Sequence, residues 1–161
     1  MAAAQQIFKP DEPVDAPIAT AQAVTAGDLV AMLAGTLVRA EDETWVNDLL
    51  TTQENFASKF LGVSEQTKAA NIVRIFGNSV DNEVRVDTSG IWEFDCAATS
   101  WNLGDLAGAA KASGNNLVSN AVAKVTVKNA CVGVAVRKQN AVTRVRLKML
   151  SNIIPDARTI Y

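Results

Sequence analysis

The chain contains no histidine, and that absence removes the commonest general base, the commonest metal ligand and the usual histidine-centred nucleophilic triads together. A zinc site is not expected either. Only two cysteines occur, Cys96 and Cys131. They form no C-x-x-C pair and each lies in an apolar strand-like run, which points to buried free thiols. No apolar stretch approaches the roughly 18 residues of a membrane span, so no transmembrane helix and no membrane partner are expected. The start has no basic segment followed by an apolar one, which argues against a secretory signal.

Carboxylates are missing from one long stretch. Of 17 acidic residues, 16 lie between Asp11 and Asp105 and the last is Asp156. Leu106 to Pro155 therefore carries Lys111, Lys124, Lys128, Arg137, Lys138, Arg144, Arg146 and Lys148 with no acid between them. The net charge is only -2, but the chain is electrically two-sided along its length. Folding either preserves that asymmetry or interleaves the halves and cancels it.

Motifs for chemistry are sparse as well. Gly104-Asp105-Leu106-Ala107-Gly108 lacks the context of a dinucleotide turn, and no phosphate-cradling loop motif occurs. Glu41-Asp42-Glu43 is the one acidic cluster; three consecutive carboxylates diverge and lack calcium-loop spacing, so a solvated turn is expected. No catalytic, cofactor-binding or metal-binding set is thus expected, nor a small-molecule substrate, and the chain does not read as an enzyme.

What is present is β patterning. In Glu83 to Cys96, Val84 and Val86 alternate with Arg85 and Asp87; after Thr88-Ser89-Gly90, Trp92, Phe94 and Cys96 alternate with Ile91, Glu93 and Asp95. Period-two alternation about a glycine turn predicts a β-hairpin. A second hairpin is expected from Leu29–Leu33 and Thr36–Ala40 around Ala34-Gly35, and further strands at Phe60–Val63 and Asn71–Phe76. Phe56 and Phe60, four apart, with Thr51 as N-cap and Glu54 three residues on, predict one short helix over 51–60. The expected fold is mainly β, a small β-barrel or β-sandwich with that helix.

Residues 1–24 hold Pro10, Pro13 and Pro17, whose spacing disfavours helix and central strand alike. They read as an extended N-terminal arm, either a disordered terminus or a segment lying across a neighbouring subunit with Ile7 and Phe8 as anchors. Residues 25–150 form the β-rich domain and 151–161 a C-terminal tail expected to pack through Ile160-Tyr161.

Three short words recur in order. Gly27-Asp28-Leu29 and Gly104-Asp105-Leu106 are followed by Gly62-Val63 and Gly133-Val134, then by Val73-Arg74-Ile75 and Val145-Arg146-Leu147. An internal duplication explains the order; chance recurrence of Gly and Val words in a β protein is the competing account. Within the last word, Arg144, Arg146 and Lys148 alternate with Val145, Leu147 and Met149, so three cations should share one exposed face. No aromatic interleaves with them, and the isoelectric point is about 5.1, so nucleic acid is not the expected partner.

The words Ala26-Gly27-Asp28-Leu29-Val30, Gly35-Thr36-Leu37-Val38-Arg39-Ala40, Phe60-Leu61-Gly62-Val63, Val84 to Phe94 and Gly104-Asp105-Leu106, in that order, resemble the head decoration (capsid cement) proteins of tailed bacteriophages over about residues 25–150. The long proline-spaced arm departs from the shortest members of that family. The resemblance implies a structural virion protein, made in the bacterial host cytoplasm, that binds the outer surface of an icosahedral shell as a homotrimer and clamps its capsomers. Its partners would be the major capsid protein and its own copies. Ile7, Phe8 and Pro10 in the arm, with Arg144, Arg146 and Lys148, are the candidate shell contacts, the cations pairing with shell carboxylates. Another virion component, such as a fibre base or a minor head or tail protein, and a nucleic-acid-binding β-barrel are the alternatives.

Overall fold

The computed structural model describes residues 3–8, 13–73 and 82–154. The alternating segments become strands: β1 Gln5–Phe8, β2 Pro13–Pro17, β3 Leu29–Leu33, β4 Thr36–Arg39, β5 Phe60–Ser64, β6 Glu83–Asp87, β7 Ser89–Trp101, β8 Leu106–Lys111, β9 Leu117–Val125, β10 Gly133–Ala135 and β11 Gln139–Leu150. One α-helix, α1 Leu49–Ser58, and two short 3-10 helices, Ala40–Asp42 and Lys128–Ala130, interrupt them.

The helix begins and ends two residues earlier than the spacing predicts. Its N-cap is Asp48, whose carboxylate accepts a hydrogen bond from Thr51 N at 2.8 Å; an aspartate satisfies the first-turn amides better than a threonine. Phe60 falls in β5, yet Phe56 and Phe60 still meet across the helix end, with ring centroids 5.9 Å apart. The hairpin at Ala34-Gly35 is present, with Leu33 opposite Thr36.

The expected hairpin at Thr88-Ser89-Gly90 is not. The alternation holds over Val84, Val86, Trp92 and Phe94, which are buried, and Arg85, which is exposed, but Asp87, expected on the outward face, is buried too and Cys96 is only half-buried. But β6 lies between β2 and β5, and β7 lies between β1 and β11. The chain crosses from one sheet to the other at Thr88 instead of reversing. Alternation reports which face of a strand is buried, not which strand lies beside it. Asn71 to Val73 form no strand: Asn71 has φ 62°, and Ile72 and Val73 are exposed. The rest of that expected strand, 74–76, lies outside the described residues.

The duplication is real in topology. The first sheet runs β2-β6-β5-β3-β4, and the second runs β7-β11-β10-β8-β9 with β1 added beside β7. Numbered within each half, the strand orders are identical. Register agrees too: Leu29 faces Val63 and Val30 faces Gly62, while Leu106 faces Val134 and Ala107 faces Gly133. Both leading turns place a glycine at positive φ, 94° and 91°, and close with an aspartate that accepts from a backbone N three residues earlier at 2.8 Å. The third word is corrected. Val63 faces Asp87 and Ser64 faces Val86, as Val134 faces Lys148 and Ala135 faces Leu147. The partner of Val145-Arg146-Leu147 is therefore Val84-Arg85-Val86, not Val73-Arg74-Ile75. Each of these arginines faces an acid on the next strand, Arg85 with Asp15 at 3.5 Å and Arg146 with Glu93 at 3.4 Å.

The halves differ in closure. β7 and β9 pair in parallel through Asp95–Ala121 and Cys96–Val122, which closes the second half into a five-stranded barrel. In the first half β2 and β4 lie side by side without pairing. Pro17 occupies the position of Asp95, and a proline has no N–H to give. Val30, Leu37, Leu61, Val84 and Val86 fill the first unit. A larger core joins Phe94, Trp101, Val122, Val145 and Leu147 of the barrel to Leu29, Phe60 and Val63 on the outer face of the first unit, with Phe56 of α1. Each such side chain contributes about 1.5–3 kcal/mol by leaving water.

The N-terminal stretch is extended and, along its described length, paired with its own chain: β1 on β7 and β2 on β6. Ala4, Ala16, Ile18 and Val24 are buried. At the other end Asn152 N donates to Phe60 O at 2.9 Å and packs the tail's first residues; 155–161, including Ile160 and Tyr161, lie outside the described residues.

Candidate partner-binding face

Strand β11 presents its cations as the alternation predicts. Val145, Leu147 and Met149 are fully buried, and Arg144, Arg146 and Lys148 point out of the barrel. They are not equivalent. The antiparallel register sets Arg144 opposite Asp95 and Arg146 opposite Glu93. Arg144 lies 3.4 Å from the Glu93 carboxylate and 3.3 Å from that of Asp95, and Arg146 lies 3.4 Å from Glu93. Arg144 Nη2 also donates to the carbonyls of Ala3 and Glu93, at 3.2 Å each. The expectation of a cation stripe with no acid nearby is corrected: the acids are distant in sequence and adjacent across the sheet. Partly exposed pairs at this distance are each worth about 1 kcal/mol or less, but they neutralise the stripe.

The same interleaving cancels part of the sequence asymmetry, while Lys128, Arg137 and Lys138 stay exposed. Lys124 pairs with Asp105 at 2.7 Å and lies 5.5 Å from the centre of the Trp101 ring, while Lys111 stacks 5.6 Å over Trp45. On the acidic side, Arg39 holds Glu41 and Asp42, and Lys59 holds Glu43, so the acidic turn is ion-paired rather than merely solvated. Burial pushes the Asp42 carboxyl up, but the hydrogen bond and charge of Arg39 outweigh it and hold the group below the ordinary carboxylate range.

Lys148 is the exception on β11. It is exposed and has no acidic partner among the described residues. Cross-strand register lines up Leu106, Val134, Lys148, Ile91 and Phe8 across β8, β10, β11, β7 and β1. Val134 is 36% exposed and Ile91 and Leu106 are half-buried. Leu103, 72% exposed, is brought alongside by the hydrogen bond from Gly104 N to Ala135 O at 2.9 Å. Ile7, 40% exposed, sits where β1 bulges between Gln6 and Phe8. The fold thus brings exposed Ile7 and Lys148 to this part of the sheet and sets Arg144 and Arg146 beside it in a neutralised ladder; Phe8 is placed by its backbone register opposite Ile91, and Pro10 lies outside the described residues. Sequence reasoning misses Ile91, Leu103, Leu106 and Val134. The outward phase of Ile91 was legible, but its neighbours depend on register between strands far apart in the chain.

Elsewhere, an open groove of about 740 Å³ lies between the splayed ends of β7 and β9, lined by Asp95, Cys96, Lys111 and Arg144 among others. Its charged groups are engaged by the pairings above. The two cysteines are half-buried rather than fully buried, and burial pushes both thiols above their ordinary pKa, away from reactive thiolate. No protein-family model matches the chain, and no curated protein matches it either.

Proposed function

We propose that the protein is a structural virion component that binds the outer surface of an icosahedral phage capsid and ties neighbouring capsomers together, acting as a homotrimer. The observation that carries this reading is the outer barrel face: a partly exposed apolar row, Val134 with the half-buried Ile91 and Leu106, around a lysine without an acidic partner, on a strand whose two arginines already have acids opposite them. An apolar row of this kind fits a protein surface better than a phosphate backbone, since Arg144 and Arg146 are neutralised by Glu93 and Asp95. The sequence words that resemble phage cement proteins point the same way, and they hold both leading turns, the strands β3 to β6 of the first unit and the start of β7. A trimer touching several capsomers would gain affinity by effective concentration, with about 1,600 Å² buried in total at each contact of ordinary size.

Co-sedimentation with decoration-free phage heads, with duplex DNA as the parallel control, tests the reading. Saturable binding at a fixed ratio per capsomer and none to DNA is expected. Binding to DNA alone, or to neither, refutes it. Three-fold mass in sedimentation equilibrium is the expected oligomer, and another symmetry would favour a different virion component.

A further inference from the structure

The two halves of the chain treat the same row differently. By register, Leu29, Val63 and Asp87 of the first unit correspond to Leu106, Val134 and Lys148 of the barrel. In the first unit that row is covered by the rest of the chain: Leu29 and Val63 are 0% exposed and Asp87 is 1%. The charged member is accommodated there by a polar partner, because Gln6 Nε2 donates to Asp87 Oδ2. In the barrel the corresponding row is partly uncovered, with Leu106 half-buried, Val134 at 36% and Lys148 exposed. One scaffold therefore carries the row twice, once covered and once partly uncovered, with the sign of its central charge reversed.

We infer that the uncovered row is the surface that docks on a shell subunit, and that the docked surface is apolar and sets a carboxylate against Lys148. The inference rests on the capsid-binding reading and names the chemistry of its contact. Covering Leu103, Leu106, Val134 and Ile91 removes water from the Lys148 ammonium as well. A buried ammonium left without an anion is strongly unfavourable, so a partner that covers the apolar residues has to bring the negative charge with them. The adjoining Glu93–Arg146 and Asp95–Arg144 pairs neutralise each other and form the polar rim.

Binding to decoration-free heads of the encoding phage is measured for the wild-type chain, Lys148→Met, Lys148→Glu, Val134→Asp and the charge control Lys128→Glu, with thermal melts to confirm folding. Lys148 points away from the core, so its variants should melt with the wild type. Lys148→Met keeps the apolar stem and removes the charge, which separates two kinds of occupant. A surface bearing a carboxylate binds this variant at least about tenfold more weakly, and a purely apolar surface binds it more tightly. Lys148→Glu should lose on the order of 100-fold and Val134→Asp a similar amount, with Lys128→Glu within about threefold of wild type. Added salt should weaken wild-type binding more than that of Lys148→Met. Wild-type binding with Lys148→Met unchanged or tighter overturns the inference and leaves the capsid reading standing. A Lys148→Glu chain that loses its own oligomer but keeps its head affinity also overturns it, by assigning the face to a second copy. If the wild-type chain binds no heads, both fall.

Discussion

The duplicated register makes a paired prediction about glycines 62 and 133. They occupy the same position in the two halves, opposite Val30 and Ala107, yet alanine should not cost the same at each. A Cβ at Gly62 would lie 1.9 Å from the Asp87 carbonyl oxygen and 2.8 Å from its carbon, both backbone atoms of the neighbouring strand. To reach even the closest tolerated contact, β6 has to retreat by more than about 1 Å, which breaks the Val63–Asp87 and Ser64–Val86 pairing at about 0.5–1.5 kcal/mol per hydrogen bond. Val84 and Val86 are fully buried on that strand, so their packing loosens too, and the total is about 4 kcal/mol or more. The entropic gain from removing a glycine, about 0.4–1 kcal/mol, does not offset this. At Gly133 the nearest atom is Met149 Sδ at 2.6 Å, the far end of a flexible side chain, with the Lys148 carbonyl at 3.1 Å; repacking there costs about 1–3 kcal/mol. Urea unfolding followed by fluorescence of the buried Trp92 and Trp101 reads both variants. Against a total stability of about 5–15 kcal/mol, Gly62→Ala should populate unfolded chain in mild urea. Gly133→Ala should lower Tm by about 2–4 °C per kcal/mol lost. Equal costs, or a Gly62→Ala chain within about 1 kcal/mol of wild type, would refute the strand register on which the duplication stands.

Two further predictions concern the turns. Asp28 and Asp105 close equivalent turns with opposite proton linkage: burial raises the pKa of Asp28, while the Asn102 N–H and then Lys124 lower that of Asp105. A raised carboxyl makes folding take up a proton, so the Asp28 contribution falls as pH rises from the ordinary carboxylate value through the raised one. The Asp105 contribution is present above the ordinary value and is lost as pH falls through the depressed one. Urea midpoints from pH 3 to 7 should show Asp28→Asn removing the first slope and Asp105→Asn the second, and two slopes of the same sign would contradict the assignment. At the β3–β4 turn, Ala34 has φ 48° ahead of Gly35 at 83°, a left-handed pair suited to a two-residue hairpin. Ala34→Gly should raise stability by about 0.5 kcal/mol, the relief of left-handed strain less the entropy a glycine adds to the unfolded chain. A fall in thermal midpoint would count against it.

Local chemistry determined a large part of this protein. Period-two alternation placed the buried faces of β6, β7 and β11, the Ala34-Gly35 turn placed one hairpin, and the repeated Gly-Asp-Leu and Gly-Val words announced the duplication, because each depends on residues a few positions apart. Tertiary structure alone decided which strands are neighbours. It sent β6 and β7 to different sheets, replaced Val73-Arg74-Ile75 by Val84-Arg85-Val86 as the repeat of Val145-Arg146-Leu147, and set Glu93 and Asp95 against arginines that lie some fifty residues further along the chain. The physical reason is that a strand's alternation fixes which side chains seek the core and leaves its edges identical to those of any other strand. Backbone N–H and C=O groups pair with whichever edge the packed core brings to them. That choice left Lys148 alone among its neighbouring cations without an acid, beside Val134 and Ile91, on a row that the other half of the same chain keeps covered.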